Sequence, residues 1–193
     1  MPKQVDHALR RRQLVEASWD VIAAEGIEGV TLRKVAQAAD CTTGRIAHYF
    51  SGREELVRSA LRAAHKDAAR RMMRIARSGA EAQDRLRRVA FEGLPLDAAR
   101  LREWKVWLVF WASATSNVVL AEENVRRYAD WQGLLESLLA EIGTDADTPA
   151  QAERQALELA SLIDGLGIRT TLAPTPANRR LARDAVNRWI ANR

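Results

Sequence analysis

One cysteine and three histidines in 193 residues leave this chain with little of the chemistry that metal centres and nucleophilic catalysis require. Cys41, being alone, excludes an internal disulfide framework and fits a reducing compartment. His7, His48 and His65 stand far apart in three different local contexts, so no metal set is expected. No nucleophile or carboxylate lies at matched spacing from them, so an enzyme is not expected either. Long apolar runs are also missing. The segment Trp104–Val119 comes nearest, but Lys105, Ser113, Ser116 and Asn117 interrupt it, well short of the about 18 residues a membrane span needs. No charged stretch followed by an apolar core opens the sequence. The expectation is a soluble, cytoplasmic protein. There is no alternating strand pattern, internal repeat or low-complexity linker, which points to an all-α chain.

Charge is informative only locally. The chain carries 30 Lys and Arg against 25 Asp and Glu, so contact with a polyanion is plausible. The excess is not concentrated near the start, where residues 1–62 hold ten basic against eight acidic side chains. Arg10-Arg11-Arg12 with Lys3 makes residues 1–12 a basic arm. Such an arm could track a phosphate backbone or enter a minor groove, or it could be a solvating tail.

The densest information lies between Thr31 and Leu56. Thr31 is placed to N-cap a helix whose Leu32, Val35, Ala36 and Ala39 share an apolar face. Asp40-Cys41 breaks that pattern, with Cys41 read as a small buried hydrophobe, and Thr42 offers a second cap. Ile46 and Phe50, four apart, anchor the next helix and leave Thr43, Gly44, Arg45, His48 and Tyr49 to its other faces. Ser51-Gly52-Arg53-Glu54 then matches the S-x-x-E capping box of a third helix. Upstream, Leu14, Ala17, Val21 and Ile22 form an amphipathic helix ending at Glu25-Gly26, with Trp19 near its margin. Two short helices packed on a third, the second polar and mildly basic, suit entry into a DNA major groove.

From about Arg10 to Leu61 the chain resembles the DNA-binding domain of the TetR family of transcriptional regulators. The likeness is carried by V-T-L-R-K-V-A and T-T-G-R-I-A-H-Y-F-S-G-R-E-E-L. It implies an N-terminal helix-turn-helix domain over residues 1–60, with the motif at about 31–50 and a linking helix opening at Arg53. By the same resemblance, Thr31 touches a phosphate, Arg33 reaches a phosphate or base edge, and Thr43, Gly44 and Arg45 face the groove, with Thr42 counted among the DNA-binding residues. Tyr49 bonds a phosphate with His48 beside it, and Arg53 takes a position usually held by a phosphate-binding lysine. Thr31 and Thr42 could equally be caps and nothing more. Asp40 departs from the family, which usually has Gly in the turn. Asp tolerates a positive φ better than most residues, so the turn should survive.

Beyond Leu56 helices are expected over about 53–77, 81–91, 97–117, 120–142, 148–172 and 175–191, making nine in all. Thr148-Pro149 and Thr175-Pro176 are cap-plus-proline starts. Residues 61–193 are then a ligand-binding and dimerisation domain. The run S-L-I-D-G-L-G-I-R-T-T-L superficially suggests a phosphate loop, but it follows no strand and lacks the lysine. Gly165 and Gly167 each weaken a helix by roughly 1 kcal/mol, so a packing reason is expected. The family pairs its last two helices with their two-fold mates. That implies a homodimer interface from Leu157, Ala160, Ile163, Asp164, Gly167, Ile168, Thr171, Leu181, Ala185 and Trp189. Two recognition helices about 34 Å apart then read a palindromic double-stranded operator.

Trp104, Trp107 and Trp111 recur at i, i+3 and i+7 along one helix face. They are either core or the wall of a ligand pocket. Together with D-G-L near residue 165 and R-R-Y-A-D-W at 126–131, they make this half similar to BetI-type regulators, whose namesake responds to choline. On that reading Trp104, Trp107, Phe110, Trp111, Trp131 and Asp164 line a small-molecule pocket. A quaternary ammonium over Trp faces gains about 2 kcal/mol or more when desolvated. No cofactor beyond such an effector is expected.

Overall fold

Six of the helices start at a side chain that accepts the backbone N–H three residues on. Thr31, Thr42, Asp97, Asn117, Thr148 and Thr175 do so for Lys34, Arg45, Arg100, Leu120, Gln151 and Asn178. Each cap satisfies a donor that the helix cannot. The structure is a computed structural model describing residues 7–143 and 148–193, and within them every regular element is helical. The order is α1 (His7–Glu25), α2 (Leu32–Ala38), α3 (Thr43–Ala47), α4 (Arg53–Ala76), α5 (Ala82–Glu92), α6 (Ala98–Ala114), α7 (Val118–Ile142), α8 (Pro149–Leu172) and α9 (Pro176–Ala191).

The turn between α2 and α3 is made as the Asp-for-Gly departure required. Asp40 takes φ 48°, the one positive φ at a non-glycine among the described residues. The start of α4 differs from expectation by one residue. Gly52 is the N-cap and has no side chain to offer, while Glu55, not Glu54, accepts the Ser51 N–H at 2.6 Å. Glu55 also takes Arg11 Nη2 at 3.3 Å, and these bonds hold its carboxyl below the usual range, the Ser51 bond most of all.

The basic arm is corrected from His7 onward. Arg10, Arg11 and Arg12 lie within α1, because the helix begins before them. Arg11 bonds Ser59 Oγ at 2.9 Å and covers the Phe50 ring, while Arg12 forms a two-toothed ion pair with Asp67 of α4. These arginines therefore clamp α1 to α4. Lys3 lies outside the described residues.

Two cores follow. The first gathers Leu14, Trp19, Ile22, Val35, Ile46, Phe50, Leu56, Ala60 and Ala64 from α1–α4, and with them Val106 and Phe110 of α6. Trp19 is central to it, not marginal: its Nε1–H donates to the Ala60 carbonyl at 2.9 Å. The second joins α5, α7, α8, α9 and the end of α4 around Leu86, Leu135, Leu138, Leu159 and Ile163. The 60/61 division runs through the middle of α4, and α6 serves both sides of it. Arg102 of α6 reinforces that attachment, pairing with Asp20 at 2.6 Å and lying over the Trp19 ring. Lower down, Arg71 of α4 bridges Glu92 of α5 and Glu103 of α6 at 2.5 and 2.6 Å.

Candidate functional site

The short α3 presents one polar surface. Ile46 and the following Phe50 are buried, which turns Thr42, Thr43, Gly44, Arg45 and His48 outward as exposed neighbours. Thr31 and Arg33 of the preceding element are exposed as well, and Tyr49 is half-buried with its ring 5.5 Å from that of His7. Lys34 is tied to Glu25. Arg53 behaves differently from its neighbours. Its Nε donates to the Val30 carbonyl at 2.8 Å and its Nη2 to the Ile27 carbonyl, so the guanidinium pins the α1–α2 loop to the start of α4. Two of its three nitrogens are spent inward. Cys41 is partly buried against the first core.

A second feature is a cavity of about 550 Å³ between α4, α6, α7 and α8. Trp104, Trp107, Trp111, Trp131 and Asp164 line it, as does Tyr128. Phe110 does not. It is buried in the first core, because residue 110 lies about 60° round α6 from residue 107 and about 100° from residue 111, on the neighbouring face that meets α1 and α4. Trp104 is as much core as wall: it is 2 % exposed, and its Nε1–H donates to the Gly93 carbonyl at 3.0 Å. The aromatic lining runs in steps. Tyr128 and Trp111 have ring centroids 6.1 Å apart, Trp111 and Trp104 5.5 Å, Trp104 and Trp107 5.6 Å, and Trp107 and His65 5.6 Å.

The polar groups in this cavity are sparse and shifted. The Tyr128 hydroxyl donates to Asp164 Oδ2 at 2.7 Å. Burial pushes the Asp164 carboxyl up, and the tyrosine bond only partly opposes it. Tyr128 itself is raised by burial and by that same bond. His65, on α4, is driven down to about 3 by burial and by the charge of Arg127, so it is neutral at physiological pH. His65, Asn124, Arg127 and Tyr128 were not singled out as pocket residues from sequence. The R-R-Y-A-D-W segment held part of the signal, whereas nothing local distinguishes His65 from any other helical surface position.

The α8 residues assigned to a dimer interface divide by face. Ala160, Ile163, Gly167 and Thr171 are corrected: they point into the protomer, where α8 packs against α7 and α6. Asp164 is committed to Tyr128 in the cavity. Leu157, Ile168 and Leu172 remain outside on one stripe, and Leu181 of α9 is also exposed. Ala185 and Trp189 are partly buried against the second core.

Residues 14–60 match the family model of bacterial regulatory proteins of the tetR family, and residues 82–193 match that of the BetI-type transcriptional repressor C-terminal domain. The chain belongs to the TetR family of transcriptional regulators. It is 34% identical to an HTH-type regulator named BetI from Burkholderia thailandensis, covering 98% of this chain and 96% of that one. It is 31% identical to the HTH-type regulator PksA of Bacillus subtilis strain 168, over 93% of this chain and 87% of that one. Among solved structures, a putative transcriptional regulator from Saccharomonospora viridis, in complex with choline, superposes with a TM-score of 0.84 at 26% identity. That match covers 95% of this chain and 96% of the other. As a TetR-family member the chain is a DNA-binding transcriptional regulator and not an enzyme. No helix among the described residues is long and apolar enough to cross a membrane.

Proposed function

We propose that the protein is a homodimeric cytoplasmic repressor that binds a palindromic operator and is released by a small organic cation. The observation that carries the reading is the position of α6. Trp107 and Trp111 line the cavity and also pack against the core of the DNA-binding part, which the neighbouring face of α6 completes with Val106 and Phe110. A ligand that displaces the tryptophans therefore pushes on the helix-turn-helix, both through α6 and through α4, which carries His65. A coupling of about 1–3 kcal/mol is enough to weaken operator binding 5- to 150-fold.

The effector's class follows from the lining. Aromatic faces with a buried carboxylate attract a desolvated cation, and the choline complex of the similar regulator supports that choice. The experiment is calorimetric titration with choline, followed by competition against operator binding. Binding that leaves the operator affinity untouched would remove the release mechanism.

On the DNA side, Thr43, Gly44 and Arg45 are the residues proposed to read base edges, with Thr31, Arg33, Thr42, His48 and Tyr49 positioning the backbone. Gly44 fits this use. An added Cβ there would meet only Thr42 Oγ1 at 3.9 Å, so nothing inside the protomer requires glycine. Close approach of an outside partner would. Arg45→Ala is expected to cost about 1–3 kcal/mol and to relax preference at one base pair of each half-site. Fluorescence anisotropy across single-base operator variants reads this directly; a uniform loss over all variants would make Arg45 a positioning contact instead.

The dimer is proposed to form over the exposed stripe Leu157, Ile168, Leu172 and Leu181. Ile168→Glu places a charge in that stripe without touching the protomer core. Sedimentation is expected to show a folded monomer with operator affinity reduced at least tenfold. A dimer that persists would move the interface elsewhere.

A further inference from the structure

The positive charge of the chain is densest away from its recognition head. Residues 58–88 hold ten Lys and Arg against three Asp and Glu, whereas residues 95–173 hold seven against twelve. Along α4 the cations Arg58, Arg62, Lys66, Arg70 and Arg74 recur at every fourth residue, all of them exposed. Like charges one turn apart destabilise a helix, so this ladder is a cost to the protomer. Little inside the protomer offsets it along the second half of α4 and α5. Arg70 meets Asp67 at 3.4 Å, but Asp67 is already tied to Arg12. Arg87 and Arg88 share Asp84 at 3.5 and 3.9 Å. Arg74 and Arg77 are exposed and pair with no carboxylate among the described residues.

The fold gathers these cations on one outer face. Arg71 of α4 reaches Glu92 of α5, and Arg85 Nη1 of α5 donates to the Ala76 carbonyl of α4 at 2.7 Å, so the two helices lie side by side. Met72, Ala76, Leu86, Val89 and Ala90 are buried in the second core, which turns Arg70, Arg74, Arg77, Arg87 and Arg88 away from it. α9 adds Arg183, which lies over the Phe91 ring at 5.4 Å. Neither α4 nor α5 carries a residue of the stripe proposed for the dimer.

The make-up of this face decides its partner. Helices that lie on membranes need apolar anchors, and protein interfaces need an apolar or aromatic centre. Met73 is the one large exposed apolar side chain on α4 or α5, and it lines the cavity instead. The outward cations are arginines, whose planar forks match phosphate oxygens two at a time. Protein–DNA interfaces have this polar and strongly positive character. We propose that the outer face of α4 and α5 is a second, sequence-independent DNA-binding surface, gripping phosphates beyond the stretch read by α3. Those phosphates belong either to the flanks of the bound operator or to a second duplex.

The test uses the full-length protein and an Arg74→Ala/Arg77→Ala double variant, whose side chains are exposed and unpaired, so the fold is kept. Arg126→Glu, at an exposed position of α7, lowers net charge by the same amount elsewhere and serves as control. Fluorescence anisotropy with a random-sequence duplex is read between about 50 and 200 mM salt. The double variant is expected to lose at least about tenfold in affinity at the low-salt end. Its log–log salt slope should fall by about two, at roughly 0.9 for each phosphate contact removed. The control is expected to stay within about twofold in affinity. Two further measurements separate the sources. With flanking phosphates, lengthening an operator duplex from about 20 to about 60 bp tightens binding by wild type and not by the double variant. With a second duplex, the wild-type complex with a short operator captures labelled random duplex, and the variant complex does not. Wild type that gains from neither, or a double variant that loses no more than Arg126→Glu, overturns the surface. Phosphatidylserine vesicles that outcompete the random duplex would overturn its assignment to nucleic acid. Failure to bind any operator would remove the reading of α3 alone, since the random-duplex comparison still judges Arg74 and Arg77.

Discussion

Gly167→Ala is expected to destabilise the protein by about 3 kcal/mol, a loss of roughly 6–12 °C in melting temperature for a chain of this size. A Cβ at residue 167 would lie 2.0 Å from Cη2 and 2.1 Å from Cζ2 of Trp104, closer than any real carbon pair tolerates. The ring cannot simply retreat, since its Nε1–H is bonded to the Gly93 carbonyl and the side chain is nearly fully buried. Gly93 is itself hemmed in, because a Cβ there would meet Ile163 at 3.2 Å. Gly165, two residues away on the same helix, is the natural control. Nothing lies within 4 Å of an added Cβ, so Gly165→Ala is expected to leave the protomer as stable as before or raise it by up to about 1 kcal/mol. Thermal denaturation of both variants separates the two glycines. Pairing Gly167→Ala with Trp104→Leu makes room for the methyl, and the double-mutant cycle should show about 1–3 kcal/mol of coupling. Unchanged melting in Gly167→Ala would mean that α8 can shift away from α6 at little cost.

Asp164→Asn is expected to weaken binding of any trimethylammonium ligand about 100-fold, the effect of about 3 kcal/mol for removing one partner of a buried charge pair. The Tyr128 hydroxyl keeps an acceptor in the amide oxygen, so the cavity wall survives. The ligand-free protein should respond in the opposite sense. The Asp164 carboxyl titrates above its unfolded value, so the native state takes up this proton first as pH falls. Its contribution to stability is therefore most favourable in acid and is lost as pH rises through the raised native pKa. Above that native pKa the buried charge is a burden, and Asn removes it. Wild-type affinity for the cation should likewise decline as pH drops through the native pKa, whereas the Asn variant shows no such slope. Calorimetry between pH 4 and pH 8 reads both, and a variant that binds as tightly as wild type would take the carboxylate out of the site.

Helix starts were legible because they depend on residues a few places apart. Thr31, Thr42, Thr148 and Thr175 cap as their spacing implies, and Asp40 adopts the left-handed turn that the missing glycine required. The capping box at Ser51 was off by one residue, since Ser51-x-x-Glu54 and Ser51-x-x-x-Glu55 look alike in a run with two glutamates. What escaped was everything set by a partner distant in sequence. Arg11 and Arg12 look like a basic arm until Glu55, Ser59 and Asp67 are brought alongside them. Gly167 looks like a place for a second subunit until Trp104 occupies it. The Trp104–Trp111 stripe was plain from its spacing, but nothing local showed that Phe110 turns into the first core or that His65 and Tyr128 arrive from α4 and α7.

Because Val106 and Phe110 complete the core of the first four helices, the head of this regulator is not a detachable cassette. Cutting after Ala64 would strip a hydrophobic lid from Trp19 and its neighbours and remove the Arg102 tether to Asp20. A chimera that borrows this reading head for another sensor must import the matching side of α6 along with it. The neighbouring face, whose Trp107 and Trp111 both line the cavity and touch that core, is where a new chemical signal would be written.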